Sequence, residues 1–139
     1  MAGLPGAGKD TWIARHAPDL PMISLDAIRR ELKVTPREGQ GAVAALAKSR
    51  ARELLRRKQS LIWNATNITR AARTALINLF AAYHARIRIV YVDAPWDVIL
   101  RRNHEREHRM PQPVIERMLR KLEVPDLTEA HRMEWHWRD

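Results

Sequence analysis

Residues 3–9 read Gly3-Leu4-Pro5-Gly6-Ala7-Gly8-Lys9, a G-x-x-x-x-G-K spacing that constrains this chain more than any other segment. The glycines let successive backbone N–H groups turn toward one point and approach a phosphate closely. Lys9 adds a point charge for β- and γ-phosphates, and a helix opening behind it adds its positive end. Such a loop normally follows a buried strand, yet only Met1 and Ala2 precede Gly3. The expectation is therefore a truncated chain or mis-started reading frame, or another segment in the slot of the first central strand. The pattern also calls for Ser or Thr after the lysine, to bind Mg²⁺, whereas this chain has Asp10 and only then Thr11. The expected nucleotide-phosphate site comprises Gly3, Pro5, Gly6, Ala7, Gly8, Lys9, Asp10 and Thr11. A glycine-rich turn without a ligand is the competing reading.

Behind the loop, apolar periodicity and punctuation alternate between strand and helix. Thr11 to Ala17 reads as a short helix stopped by Pro18. Met22 to Leu25 reads as a strand, with Asp26 capping a helix from Ala27 to Leu32. Residues 35–41 read as loop and Ala42 to Lys58 as a helix. A strand over Leu61 to Asn64 ends in a turn at Ala65-Thr66-Asn67, and Thr69 caps a helix to about His84. Ile87 to Val92 is the clearest strand. Pro95 starts a helix to about Glu107, and Pro113 another to about Leu122. Met133 to Trp137 is a last strand, whose Trp135 and Trp137 alternate and are expected to pack one side against a helix. The alternation implies one α/β domain over residues 1–139, a parallel sheet flanked by helices. Ligands gather at the carboxyl ends of such strands, where the glycine loop, Asp26, Asn64 to Asn67 and Asp93 all fall.

Formal charge is +9, from 25 Lys+Arg against 16 Asp+Glu. A pI near 11.0 favours an anionic partner, of which phosphodiester backbones are the commonest kind, although solvated helix faces inflate such a count. With no cysteine, disulfides and thiolate metal sites are excluded, and a cytoplasmic setting is expected. No apolar run approaches the roughly 20 residues that span a bilayer, so no membrane partner is expected.

Asp26 and Arg29 stand one helical turn apart after the second strand. A carboxylate there can take the proton of an acceptor hydroxyl, and a guanidinium can grip a phosphate on the same acceptor. A capping Asp beside a solvated Arg is the bland alternative. Arg102 and Arg106 are spaced to share one helix face, as in a lid over nucleotide phosphates spanning about 101–113, though an ordinary salt-bridged helix competes. His104 and His108 have zinc-ligand spacing but no third ligand, so they read as a surface pair.

Lys9, Asp26-x-x-Arg29, Thr66-Asn67, Ala94-Pro95-Trp96, Arg102-Asn103 and Arg106 occur in one order and spacing. Together they resemble the kinase domain of the bacteriophage polynucleotide 5′-hydroxyl kinase and its relatives among the AAA-type P-loop kinases, over residues 3 to about 122. The resemblance implies ATP- and Mg²⁺-dependent phosphorylation of the 5′-OH end of DNA or RNA, with possible fusion to other end-repair domains. By position, Lys9 would stabilise the transferring phosphoryl group, Asp26 would be the general base, and Arg29 would engage the acceptor's 3′-phosphate. Arg102 and Arg106 would close over ATP, and Thr66 and Asn67 would lie on the acceptor side.

Two positions depart from that pattern. Asp10 replaces the hydroxyl residue, and Ala65 stands where the phage-type enzyme has an acid. The expectation is that Asp10 takes over Mg²⁺ binding, directly or through water, with Asn64 as a second contributor. Two other readings stay open: a kinase of the same fold acting on a nucleoside, sugar or metabolite, and a nucleotide-responsive nucleic-acid-binding module without turnover.

Overall fold

A computed structural model describes residues 1–35 and 38–138, so Pro36 and Arg37, in the expected loop over 35–41, lie outside the described residues. The chain divides into two compact units, one of residues 1–18 and 66–139, the other of residues 19–65.

The first unit contains helix α1 (Lys9–His16), α4 (Arg70–Ala81), strand β3 (Arg88–Asp93), α5 (Trp96–Glu105), α6 (Gln112–Lys121) and strand β4 (Arg132–Trp137). The continuous apolar run Ile89 to Val92 makes β3 a buried strand, with Val92 wholly enclosed. Strand β4 pairs parallel to it from Arg88 opposite Arg132 to Asp93 opposite Trp137. Ala2 forms a parallel bridge to Tyr91, its N–H donating to Val90 O and its carbonyl accepting from Val92 N, each at 2.9 Å. Ala2 thus occupies the slot expected for the strand ahead of the glycine loop. Ala2, Ile89 and Tyr91 form one apolar cluster, against which Ile77, Leu122 and Met133 pack. A second gathers Leu4, Ala94, Val98, Ile99 and Ile115.

A buried ion pair ties this unit's last loop to α4. Arg73 Nε donates to Glu129 Oε1 at 2.7 Å, and both side chains are only 3% exposed. Arg73 Nη1 also donates to Asn67 O at 2.9 Å, and Glu129 Oε2 accepts from Asp126 N at 2.8 Å. On β4, the Arg88 guanidinium bonded to Glu134, aided by His136 and Arg132, holds that carboxyl down at about 2.

The second unit contains strand β1 (Met22–Ser24), α2 (Leu25–Leu32), α3 (Gln40–Arg56) and strand β2 (Ile62–Asn64). Strands β1 and β2 pair parallel, Ser24 opposite Asn64. Helices α2 and α3 pack on each other and on β1.

The parallel strands and intervening helices agree with the expected α/β class. Several boundaries differ, each for a local reason. Helix α2 is capped by Ser24, not Asp26: the Ser24 hydroxyl accepts from Ala27 N at 3.2 Å, so β1 passes into the helix with no intervening residue. Helix α3 starts at Gln40, two residues before the expected Ala42, because Gly39 takes the N-cap position at φ +69°. A Cβ at Gly39 would stand 2.7 Å from Val34 Cγ1. Helix α4 ends at Ala81 rather than near His84, which itself takes φ +59°. Trp135 and Trp137 are 47% and 65% exposed, so each keeps much of its ring in solvent; the Trp135 indole N–H donates to Pro125 O at 3.1 Å.

Candidate active site

The glycine loop is fixed on two sides within the first unit. Gly3 N–H donates to Thr66 O at 2.9 Å, and Ala2, the preceding residue, is itself bonded to β3. Gly3 has φ +140°, and a Cβ there would fall 2.2 Å from Val92 O, a distance no side chain can occupy. No residue but glycine therefore fits where the loop leaves β3. Gly8, at φ +110°, is the N-cap of α1, and as a glycine it puts no side chain of its own on the N-terminal N–H groups, the arrangement that receives a phosphate. Lys9 folds back over its own loop, its ammonium donating to Gly3 O and Leu4 O at 2.9 Å each.

Arg102, on α5, reaches the same loop. Its Nη1 lies 3.4 Å from both Gly6 O and Ala7 O. Arg106, expected to share a face with it, is the last position the helix places: its φ of −77° is helical, and its ψ of 141° turns the chain away after it. Helix α5 ends at Glu105 and Arg106 is its extended C-cap residue, so the expected run to Glu107, and the His104–His108 helical pair, are corrected. The cause is Asn103, buried to 4% exposure. Its amide donates to Met110 O at 2.6 Å and its carbonyl accepts from Met110 N at 3.0 Å, closing the segment between them into a ring.

Replacing Asn103 with Ala leaves two part-buried backbone groups of Met110 without their partner, a cost of about 1–2 kcal/mol borne locally. The expected result is faster amide exchange and proteolytic cleavage over residues 104–110, with α1 and β3 unchanged. Unchanged protection of that segment would remove Asn103 as its anchor.

Beside the loop, Trp12, Arg15, His16, Arg102, His136, Trp137 and Arg138 line a cleft of about 360 Å³. Trp12 stacks on His16 with ring centroids 4.7 Å apart and planes at 18°. Nε2 of His136 bonds Glu134 Oε2 at 3.2 Å. Arg138 Cδ stands 3.1 Å from where a Gly8 Cβ would lie. Trp12 itself is 4% exposed, with the Arg88 guanidinium 5.3 Å from its ring centroid, so what the cleft offers is chiefly the three guanidinium groups of Arg15, Arg102 and Arg138, which suit negative charge. Sequence reasoning missed this cleft. The signal available for it was the pairing of Trp12 and His16 four apart on the helix behind the loop, with Arg138 directly following a strand.

The remaining expected residues fall as follows. Pro5 and Ala7 are buried in the loop, and Asp10 and Thr11 are exposed in the first turn of α1. Thr66 anchors the loop through its carbonyl. Asn67, at φ +44°, donates its amide to Met1 O at 2.7 Å. Asp93 accepts from Ala94 N at 2.9 Å, the expected turn cap. Its other oxygen lies 3.3 Å from the Tyr91 hydroxyl, which burial and this carboxylate push up to about 12.

In the second unit, Asp26 and Arg29 do meet. Arg29 Nη1 donates to Asp26 Oδ1 at 2.5 Å, with the Asp26 side chain 60% exposed. Arg29 Nε donates to Gln40 Oε1 at 3.1 Å, and Gln40 Nε2 donates to Thr35 O at 3.2 Å. Asn64 ends β2 as a buried residue, its amide 3.7 Å from Met22 Sδ.

A family model described as AAA domain matches residues 1–125, nine-tenths of the chain and all of the loop, Asp26–Arg29 and α5. The chain belongs to the AAA domain family. Its fold is that of a P-loop kinase. This AAA domain is 27% identical over 132 residues to the L-seryl-tRNA(Sec) kinase of Methanococcus maripaludis, a match covering 90% of the chain and 52% of that relative. The chain thus spans about half the length of the curated relative it matches. Among solved structures it is similar to a candidate kinase from Chloroflexus aurantiacus, with TM-score 0.77 and 20% identity, covering 98% of this chain and 84% of that one. It is also similar to a sugar kinase from a Janibacter species, with TM-score 0.67 and 20% identity, covering 98% and 82%. At these identities the likeness establishes the AAA domain's fold.

Proposed function

We propose that this AAA domain transfers the γ-phosphoryl group of ATP to a hydroxyl acceptor, and that the acceptor is the 5′-OH end of a DNA or RNA strand. The observation that carries the reading is the Asp26–Arg29 pair. An exposed carboxylate is bonded through one oxygen to a guanidinium whose Nε is held by Gln40. Among the described residues, Nη2 of Arg29 keeps its N–H donors for an acceptor phosphate. In the transfer, the acceptor oxygen bonds to the γ-phosphorus while the bond to the β,γ-bridging oxygen breaks. ADP leaves, and the acceptor proton passes to Asp26.

On the donor side, the glycine-loop N–H groups and Lys9 hold the phosphates, and Arg102 neutralises charge from α5. Lys9 gives up the Gly3 and Leu4 carbonyls to do so. Arg106 closes from the segment after α5, and the cleft of His16, Trp137 and Arg138 takes the base and sugar. The name of the archaeal relative sets its acceptor on a tRNA, and the +9 charge favours the same class of partner.

Mg²⁺, which the fold family implies, is a hard ion held by one or two carboxylates together with phosphate oxygens and water. Asp10 fits that donor chemistry and is exposed beside Lys9 in the sequence. When bound, the ion neutralises charge on the phosphates. Replacing Asp10 with Ser removes a negative charge near the β-phosphate. Metal-free ATP affinity is expected to rise by about 3- to 10-fold, while the gain on adding Mg²⁺ shrinks. Calorimetry with Mg²⁺ and with a chelator measures both, and equal metal dependence in parent and variant takes Asp10 out of the metal site.

The test of the whole reading is transfer of labelled γ-phosphate from ATP to a 5′-OH oligonucleotide, beside nucleosides and sugars. Transfer to the small acceptors alone would make this a metabolite kinase. ATP binding with no transfer to any acceptor would leave a nucleotide-responsive binding module.

A further inference from the structure

Helix α3 begins at the acceptor residues and carries a row of cations away from them. Gln40, which bonds Arg29, heads the i+4 ridge Gln40, Ala44, Lys48, Arg52 and Arg56. Its last three residues are all basic. Among the described residues none of these three cations forms an ion pair. The other arginines of α3 are compensated. Arg50 is bonded to Glu31 through both amino groups at 2.9 and 2.6 Å, and Arg57, the C-cap residue, to Glu53 at 2.8 Å. Glu53 is the single carboxylate of α3, so the ridge carries no acid of its own. Each step of four residues advances about 6 Å along the axis, close to the separation of successive phosphates in an extended single strand.

We infer that the Lys48–Arg52–Arg56 ridge is a track for successive phosphates of a polynucleotide acceptor, leading its end toward Arg29 and Asp26. This inference rests on the acceptor reading above and extends it: Arg29 holds the first phosphate, and the ridge holds later ones. Charge complementarity commits the surface to a nucleic-acid strand. The three side chains act on chain length, and have no part in the transfer step itself.

The test replaces Lys48, Arg52 and Arg56 together with Gln, a residue of similar helix propensity, so α3 is retained. Two acceptors are compared, a 5′-OH oligothymidylate of about twelve nucleotides and thymidine 3′-monophosphate, which has a single phosphate. Oligonucleotide binding is followed by fluorescence anisotropy across a salt series, and transfer is measured to both acceptors. The expected result is oligonucleotide affinity at least about 10-fold weaker at 0.1 M salt, with the log–log salt slope shallower by about 2. Transfer to thymidine 3′-monophosphate stays unchanged. Equal oligonucleotide binding by parent and variant overturns the track, whatever the turnover. Equal loss of transfer to both acceptors overturns it too, because a track cannot affect an acceptor too short to reach it. If the parent phosphorylates neither acceptor while the binding difference persists, the track stands and the 5′-OH reading falls.

Discussion

Asp26→Asn is expected to lower the rate of phosphoryl transfer by about 10²- to 10⁴-fold while leaving ATP affinity within about twofold of the parent. The amide keeps the shape of the carboxylate but cannot take the acceptor proton. The structure separates this loss from a folding defect, because Ser24 and not Asp26 caps α2. What Asp26 contributes to stability is one exposed bond to Arg29, worth at most about 0.5 kcal/mol. Urea unfolding of the variant should therefore overlay that of the parent. Transfer within about threefold of the parent would remove Asp26 as the base. A parallel fall in ATP affinity would instead move it to the nucleotide side.

The largest stability effect is expected at Arg73 and Glu129. Removing either partner leaves the other charged and buried at 3% exposure, which costs about 3–5 kcal/mol. That is a large share of the roughly 5–15 kcal/mol that holds a domain folded. Replacing both with apolar residues of similar volume should cost much less than the two single changes summed. Equilibrium urea unfolding of Arg73→Leu, Glu129→Leu and the double variant measures all three. A single substitution costing less than about 1 kcal/mol would mean that water reaches the pair.

How legible these features were depended on how local their causes are. The α/β alternation, the glycine loop, β3 and the Thr69 cap are written in windows of a few residues, where apolar runs and turn residues carry the signal. The α2 cap was misplaced because Ser24 and Asp26 are both good capping residues two apart, and only the bond to Ala27 chooses between them. The end of α5 was misjudged because helical periodicity continues past Glu105, while the Asn103 amide reaches seven residues ahead to Met110. The buried Arg73–Glu129 pair carried no local signal, since its partners stand 56 residues apart. Of the candidate site, the Asp26–Arg29 contact was legible because one helical turn separates the two. Arg102 was placed at the nucleotide phosphates by the family resemblance, whereas the cleft it shares with Arg138 had no local signal.

The clasp made by Asn103 has a consequence for how this family can vary. Both ends of the 104–109 stretch are fastened at one side chain, so the spacing between α5 and α6 does not depend on how many residues lie in between. A longer or shorter insert could be spliced there without shifting the register of either helix. The stretch is thus a cassette, whose length can change while α5 and α6 stay where Asn103 and Met110 hold them.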